Sequence, residues 1–230
     1  MKVLCFHHKG GVGKTTTAIH VTGVFLAGRN KEDKKNKVLL IDGDSQADSF
    51  KFFSEGCEPD WKGGDLITQD GFLTVLTKGR SPEKTTGLSR KVAKLVHGYS
   101  SHGFDHVVVD ISADLPNIGN LLSEVAPDLV LLGVKRHDIG SFKNLKDMLV
   151  SIGQASLLDI RPKVKIIPIG VEESEFYQYI EDPPIVCEVV KPLPWVPEEA
   201  GKSVFLDYNY LWERSNCEEF WKYYNDVVTE

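Results

Sequence analysis

Lys9-Gly10-Gly11-Val12-Gly13-Lys14-Thr15-Thr16 is the stretch of sequence that decides the fold of this chain. It follows a short apolar run, Val3–Phe6, and precedes a segment that is compatible with a helix. Glycines in such a turn let the backbone curl so that successive N–H groups point at one anion, and the helix that follows adds the positive end of its dipole. The stretch therefore predicts a phosphate-binding loop between a strand and a helix.

Two side chains in this loop add to what the backbone offers. Lys14 supplies a mobile positive charge for the β- and γ-phosphates of a nucleotide, and the Thr15 hydroxyl is placed to bind Mg²⁺. The usual pattern Gly-x-x-x-x-Gly-Lys-Ser/Thr is followed except at its first glycine, where His8 stands. A turn rich in glycine and lysine can be an ordinary solvated loop, but the register between strand and helix favours phosphate. The predicted nucleotide contacts are Gly10, Gly11, Val12, Gly13, Lys14, Thr15 and Thr16.

Short apolar, β-branched runs recur along the chain between amphipathic stretches. They are Val3–Phe6, Val38–Ile41, His106–Val109, Leu129–Val134, Val164–Ile169 and Ile185–Val190. Their nearly continuous apolar character is typical of strands buried on both faces of a parallel sheet. A helical stripe from Phe142 to Ile152 is the clearest of the intervening amphipathic segments, and a further helix is predicted over Ser89–His97. The pattern predicts an α/β fold with a doubly wound, mostly parallel sheet and helices on both faces.

Composition restricts the class of protein further. The chain has 230 residues, 41% hydrophobic and 26% charged, which suits one α/β domain over residues 1–230. Its four cysteines are widely spaced, as in a reducing cytoplasm, and argue against a zinc ribbon or a redox pair. We find no signal peptide and no apolar stretch near the ~18 residues that a membrane span needs. The formal charge of −6 argues against a surface that coats nucleic acid as a whole.

Three aspartates stand where two of the predicted strands end. Asp42 and Asp44 follow Val38–Ile41, and Asp110 follows His106–Val109. Such residues are sometimes only turn formers, but the carboxyl ends of parallel strands meet at one edge, where ligands bind. We therefore expect these carboxylates beside the phosphate-binding loop and around its Mg²⁺.

These motifs together resemble those of a known family. Lys9–Thr17, Val38–Gln46 and Phe104–Pro116 resemble the deviant Walker A, A′ and Walker B segments of the ParA/MinD family of P-loop ATPases. Ala126–Val130 and the region from Pro194 to Gly201 resemble later segments of the same family. The resemblance spans most of the chain, covers residues 47–103 poorly, and is greatest to small ParA-type partition ATPases.

The resemblance implies a role for each motif residue. Lys9 would reach across an ATP-dependent sandwich dimer to the phosphates of the partner subunit, and Lys14 would bind the phosphates of its own subunit. Asp44 would orient the attacking water, while Thr15, Asp42 and Asp110 would act around Mg²⁺. Pro194 would contact the nucleotide. Slow ATP hydrolysis would then end the dimer and act as a timer.

The sequence departs from the family pattern at three places. Ser45 stands where the family often has proline, and Ile111-Ser112-Ala113 follows the Walker B aspartate where Thr-Pro or Ser-Pro is common. Ile169-Gly170-Val171 lies where an asparagine often contacts adenine. The first two departures concern the geometry of the loops, and the third concerns recognition of the base.

Other functions were weighed against the ParA-like interpretation. A MinD-like, membrane-recruited ATPase would need a basic amphipathic C-terminal helix, whereas residues 217–224 are aromatic and acidic. A metabolic enzyme of the dethiobiotin synthetase type lacks the Lys-Gly-Gly lead, and a switch that no longer hydrolyses would not need Asp44. We expect a ParB-like or other adaptor as partner. Non-specific DNA is a further candidate partner, through Arg214 or through the cluster Arg161, Lys163 and Lys165.

Overall fold

The computed structural model describes residues 1–7, 10–60, 64–68, 70–77, 90–112, 115–136, 138–155, 161–180 and 182–230. Its centre is a sheet of eight strands in the spatial order β3-β4-β2-β5-β1-β6-β7-β8. The strands are β1 (Lys2–His7), β2 (Val38–Asp42), β3 (Gly64–Ile67), β4 (Leu73–Thr77), β5 (His106–Ser112), β6 (Leu129–Lys135), β7 (Lys163–Ile169) and β8 (Glu188–Val189). All neighbouring pairs are parallel except β3 and β4, so the predicted mostly parallel sheet is confirmed.

Helices cover both faces of this sheet. They are α1 (Lys14–Ala27), α2 (Asp48–Phe53), α3 (Arg90–His97), α4 (Ile118–Val125), α5 (Ile139–Ala155), α6 (Glu173–Tyr179), α7 (Glu198–Leu206) and α8 (Glu219–Thr229). The stripe on α5 is buried as predicted, and the helix predicted to end at His97 is α3. The predicted start of that helix at Ser89 lies outside the described residues.

The alternation of side chains along β1 produces two separate cores. Leu4 and Phe6 pack with α3, α4, α5 and α6 on one face, whereas Val3 and Cys5 pack with α1, α2, α7 and α8 on the other. Both sets are almost completely excluded from solvent. Because every central strand is covered on both sides, the runs are apolar throughout, as the sequence indicated.

Two strands escaped prediction and one was predicted too long. In β4, buried and half-buried residues alternate, and β3 is an antiparallel edge strand, so neither produces a continuous apolar run. At the other edge, only Glu188–Val189 of the run predicted over Ile185–Val190 pairs as a strand. The pattern of both-face burial holds only for the centre of the sheet, and the site is built there.

Candidate functional site

The phosphate-binding loop connects β1 to α1 at the centre of the sheet. Gly11 and Gly13 have φ angles of +78° and +73°, which side chains with a Cβ rarely adopt, so glycine is required at both positions. The first bond of the helix is donated by the N–H of Thr17 to the carbonyl of Gly13, at 2.8 Å. The N–H groups that precede this bond in the first turn have no acceptor within the helix, so they can serve the anion site that the sequence predicts.

Gly133 on β6 sets how closely the loop can lie against the sheet. A Cβ at Gly133 would overlap the carbonyl oxygen of Val12. This residue was missed from the sequence, because the strand pattern alone does not show which strand lies beneath the loop.

Lys14 contacts predicted site residues that come from distant parts of the sequence. Its Nζ lies 2.5 Å from Oδ1 of Asp110 and 3.3 Å from Oδ2 of Asp44. The same nitrogen donates to the Thr15 hydroxyl at 3.2 Å. The side chain of Lys14 is only 8% exposed and that of Asp110 is fully buried, whereas Asp44 remains 26% exposed. Of these two carboxylates, Asp44 is therefore the one that is accessible from solvent.

The charges of this group follow from its geometry. Burial lowers the pKa of Lys14, but the carboxylates of Asp110 and Asp44 outweigh burial, and the net pKa is raised. Burial raises the pKa of Asp44, but Lys14 and the Ser112 hydroxyl lower it by more, so its net pKa is lowered. Both groups are therefore charged at neutral pH.

Asp42 differs from the other two aspartates. It is buried and paired in register with Asp110 on the neighbouring strand. Its Oδ1 accepts the N–H of Asp44 at 3.1 Å, and its Oδ2 accepts the N–H of Phe50 at 2.8 Å. Burial, together with the negative charge of Asp110, raises the pKa of Asp42. In this arrangement Asp42 holds the segment between β2 and α2 in place.

Two serines near the aspartates were not predicted as site residues. The Ser49 hydroxyl donates to Oδ2 of Asp110 at 2.6 Å, and the Ser112 hydroxyl donates to Oδ2 of Asp44 at 2.9 Å. Ser112 belongs to the segment after the Walker B aspartate that departs from the family pattern. In the structure, this serine contacts Asp44. Neither contact leaves a local sequence signal, because the partners are 61 and 68 residues apart.

The donor set suits Mg²⁺ held together with a nucleotide. Mg²⁺ in such sites takes one or two protein oxygens and completes its shell with phosphate oxygens and water. The Thr15 hydroxyl and the Asp110 carboxylate both contact the Lys14 ammonium, so this acidic position already holds a cation. The described part of the chain contains no group of three acidic, histidine or cysteine side chains that could hold a metal alone.

A cavity opens beside the loop at the ends of β6 and β7. It has a volume of about 690 Å³ and includes Pro194, together with Gly170 and Val171 of the third departure from the family pattern. A smaller cavity of about 160 Å³ is lined by Gly11, Gly13 and Thr16, and shares Lys135 and Ile169 with the larger one. The two cavities lead from the anion site to Pro194. Lys9 lies outside the described residues.

Comparisons with known proteins agree with this geometry. The model of the AAA domain family matches residues 1–58. A candidate plasmid partition protein from Borrelia burgdorferi B31 bound to AMPPNP is 17% identical, with a TM-score of 0.66 over 99% of this chain and 96% of that one. The MinC:MinD cell division complex of Aquifex aeolicus gives 17% identity and a TM-score of 0.65, covering 100% and 96%. A ParA family ATPase from Chlorobium tepidum TLS gives 16% and 0.63, covering 100% and 97%.

The chain has the ParA/MinD fold. The resemblance predicted from its sequence is confirmed by the family model at the N-terminus and by the architecture over the whole length. The predicted α/β P-loop class is confirmed by the same structures. None of the curated proteins matches the chain in sequence.

Within the ParA/MinD fold, the basic residues nominated for DNA have different surroundings. Lys165 is buried and donates to the carbonyl of Val227 at 2.8 Å, so it forms no part of a basic surface. Lys163 pairs with Glu188 at 2.9 Å, and Arg214 pairs with Asp207. Arg161 is exposed. The prediction of a basic surface cluster is therefore wrong for Lys165, whose ammonium connects β7 to α8.

A buried histidine joins the P-loop helix of this fold to the C-terminal segment. Nε2 of His20 accepts the N–H of Leu211 at 2.9 Å, and Nδ1 lies 2.7 Å from the carbonyl oxygen of Thr16, to which it donates. The ring stacks on Tyr224 at a centroid distance of 4.9 Å. Burial lowers the pKa of His20 to about 4, although the Thr16 carbonyl acts in the opposite direction. No local motif marks this contact, which links residues 191 positions apart.

Proposed function

We propose that this chain binds ATP with Mg²⁺, forms an ATP-dependent homodimer and hydrolyses ATP slowly. The cycle drives the partition or positioning of DNA or of another intracellular cargo. The observation that carries the proposal is the convergence of Lys14, Asp44 and Asp110 at the mouth of a P-loop. The likeness to a structure solved with AMPPNP supports nucleotide as the ligand.

Binding uses groups that are already in position. The N–H groups of the loop and of the first turn of α1 receive the β- and γ-phosphates. The Lys14 ammonium contacts two carboxylates, those of Asp44 and Asp110. When a nucleotide binds, phosphate oxygens take the place of these carboxylates as its anionic partners. Thr15 and Asp110 would hold the Mg²⁺, which supplies neutralisation of the charge on the phosphate oxygens.

Hydrolysis needs a group that positions water opposite the leaving oxygen. Asp44 is charged, partly open to solvent and oriented by Ser112. Its carboxylate accepts a hydrogen bond from the water whose oxygen attacks the γ-phosphorus, and the protons of that water remain with the phosphate that is released. The bond from this phosphorus to the bridging oxygen breaks, and that oxygen leaves with ADP. Because the chemistry requires mainly position and charge, a single carboxylate is enough for slow turnover.

The homodimer and the adaptor rest on the resemblance. Lys9 has the place of the lysine that reaches the partner subunit in this family, and MinD is seen in complex with MinC in a structure of the same fold. A ParB-like or other adaptor protein is therefore the proposed second partner. The proposal that DNA is the matrix rests on Arg161 and Arg214, the two predicted DNA contacts that do not lie on β7.

The alternative of a membrane-recruited, MinD-like ATPase has less support. The apolar residues Phe220, Tyr224, Val227 and Val228 of α8 are buried in the core, so this helix has no free apolar face to insert into a bilayer. Among the described residues, none of the helices has the length and apolar character that crossing a membrane would require. Lys9 also distinguishes the chain from enzymes of the dethiobiotin synthetase type.

Two lysine variants test the proposal. Lys14→Ala removes the cation at the phosphates and should weaken ATP–Mg²⁺ binding by at least about tenfold in calorimetry. Lys9→Ala should bind ATP like the wild type yet fail to shift from monomer to dimer in sedimentation. Lys31→Ala, an exposed lysine of the loop before β2, is the matched control and should change neither property. Unchanged ATP affinity in Lys14→Ala contradicts the P-loop assignment, and an unchanged ATP-driven dimer in Lys9→Ala contradicts the sandwich dimer.

A further inference from the structure

Trp195 stands out among the residues that line the larger cavity. It is 84% exposed, although an indole is among the largest apolar groups that a protein can bury. It follows Pro194 on the loop after β8 and forms part of the wall of the cavity of about 690 Å³. An exposed aromatic ring on the wall of a cavity is a surface that a ligand can cover.

The backbone around Trp195 is held rigidly. Residues 192–197 read Pro-Leu-Pro-Trp-Val-Pro, and each proline fixes its own φ angle and restricts the residue before it. The N–H of Leu193 donates to the carbonyl of Pro168 at 2.8 Å, which fastens the segment to the end of β7. Little conformational freedom is therefore lost when a ligand covers the ring.

The cavity lies where a nucleoside on the P-loop would extend. The smaller cavity touches Gly11, Gly13 and Thr16, and shares Lys135, Ile169, Leu193 and Val196 with the larger one. A nucleotide whose phosphates are bound at the loop would therefore extend into the larger cavity, and Trp195 forms part of the wall of that cavity.

Resting on the proposed function, we propose that Trp195 stacks on the purine base of the nucleotide, and that this stacking replaces a base-reading amide. Apart from Trp195, whose indole N–H is a donor, the described side chains that line the cavity and carry hydrogen-bonding groups are Lys135, Arg136 and Glu172. Among the described residues, this lining includes no asparagine or glutamine, whose amides can pair with adenine. Stacking depends on a π-face that adenine and guanine share, so the site takes purine nucleotides with little preference between them.

Calorimetry on the full chain with Mg²⁺ and three probes, AMPPNP, GMPPNP and inorganic tripolyphosphate, tests this inference. Trp195→Ala should weaken binding of both nucleotides by about 5- to 100-fold and leave tripolyphosphate unchanged. Trp195→Phe should recover most of the loss, because phenylalanine keeps an aromatic face. Trp221→Ala, a half-exposed tryptophan on α8, is the matched control and should bind all three probes like the wild type. Wild-type affinities for AMPPNP and GMPPNP should agree within about tenfold.

Three results would overturn the inference while the proposed function stands. These are unchanged AMPPNP affinity in Trp195→Ala, an equal loss of tripolyphosphate binding in that variant, and a preference for AMPPNP over GMPPNP above about 100-fold. The equal loss would mean that Trp195 supports the loop and does not contact the base. Failure of the wild type to bind any of the three probes would instead overturn the proposed function itself.

Discussion

At the scale of single residues, the site is organised by competition for one cation. Lys14 contacts Asp110 at 2.5 Å and Asp44 at 3.3 Å, so the shorter contact holds the ammonium at the buried carboxylate. Asp110 is fixed in turn by the Ser49 hydroxyl. Asp44 is the more weakly held of the two carboxylates and the more exposed, which leaves it available for water.

Replacing Asp44 should therefore separate binding from turnover. We expect Asp44→Ala to keep ATP affinity within a few-fold and to lose about 100-fold or more of its hydrolysis rate. The reason is that the carboxylate acts on water in the transition state, while its loss frees Lys14 for phosphate. Single-turnover hydrolysis and calorimetry on the same samples measure the two effects. Asp48→Ala, the nearby carboxylate beside Lys51, is the control and should hydrolyse ATP normally. Normal turnover in Asp44→Ala would move this role to Asp42 or Asp110.

The close approach of the loop to β6 gives a second expectation at this scale. Gly133→Ala places a methyl group against the Val12 carbonyl and should displace the loop, weakening ATP binding by about tenfold or more. Gly119→Ala on α4 meets nothing within 4 Å and serves as the control, with unchanged affinity and slightly higher stability. ATP affinity in Gly133→Ala equal to that of the control would show that the loop tolerates the shift.

The residues predicted from the sequence and those missed differ in the range of their contacts. Lys14, Thr15 and the three aspartates are recognisable because a local motif or the end of an apolar run marks each of them. Gly133, Ser49 and Ser112 act through partners far along the chain, and glycine and serine are too common to be noticed without that partner. Local chemistry was therefore predictable, and the support around it was not.

At the scale of elements, α2 and α1 connect the site to the rest of the chain. The segment before α2 is tied down by Asp42, whose two oxygens accept backbone N–H groups. At α1, His20 receives the N–H of Leu211 and so joins the P-loop helix to the segment before α8. The site is thereby linked to the C-terminal part of the chain, around Leu211 and α8.

The His20 contact predicts how stability depends on pH. Its pKa falls from 6.5 to about 4 on folding, so the unfolded chain takes up a proton first as the pH is lowered. Stability from this group is complete above pH 6.5 and is lost as the pH falls towards 4, by up to about 3 kcal/mol. His20→Phe should cost about 1–3 kcal/mol at neutral pH, because the Leu211 N–H loses its acceptor.

Urea denaturation of the full chain between pH 7.5 and pH 4 measures this effect. The free energy of unfolding should decline less with falling pH in His20→Phe than in the wild type. Burial also lowers the pKa of His106 to about 4, so some decline should remain in the variant. The exposed His97 provides the control, since His97→Phe should keep the wild-type slope. Identical slopes in wild type and His20→Phe would show that folding does not lower the pKa of His20.

Elements were predictable where burial is complete and uncertain where it is not. The central strands β1, β2, β5, β6 and β7 are covered on both faces, and their continuous apolar runs made them predictable from the sequence. The edge strands β3 and β8 and the neighbouring strand β4 are short or half-covered, so their patterns are weak. Strand pairing itself needs contacts between distant parts of the chain, which a single sequence does not show.

At the scale of the whole molecule, charge decides what the ATP-bound form can contact. The formal charge of −6 opposes DNA binding by a single subunit, while two subunits brought together double the number of cations that one duplex can meet. Lys165 is buried and forms no part of the surface, Lys163 and Arg214 lie in exposed pairs with Glu188 and Asp207, and Arg161 is exposed. A DNA contact should therefore depend on the dimer.

The trapped dimer expected of Asp44→Ala provides the means to test for DNA. With ATP–Mg²⁺ this variant should bind non-specific duplex more tightly than the wild type at low salt, because the dimer persists when hydrolysis is blocked. Its affinity should fall steeply with salt, and Arg161→Ala or Arg214→Ala in the same background should each reduce the salt slope by about one. Lys222→Ala, an exposed lysine on α8, is the control and should leave the slope unchanged. Fluorescence anisotropy with a labelled duplex at several salt concentrations measures all of these. A trapped dimer that ignores DNA at low salt would contradict DNA as the matrix and would favour a protein or membrane surface instead.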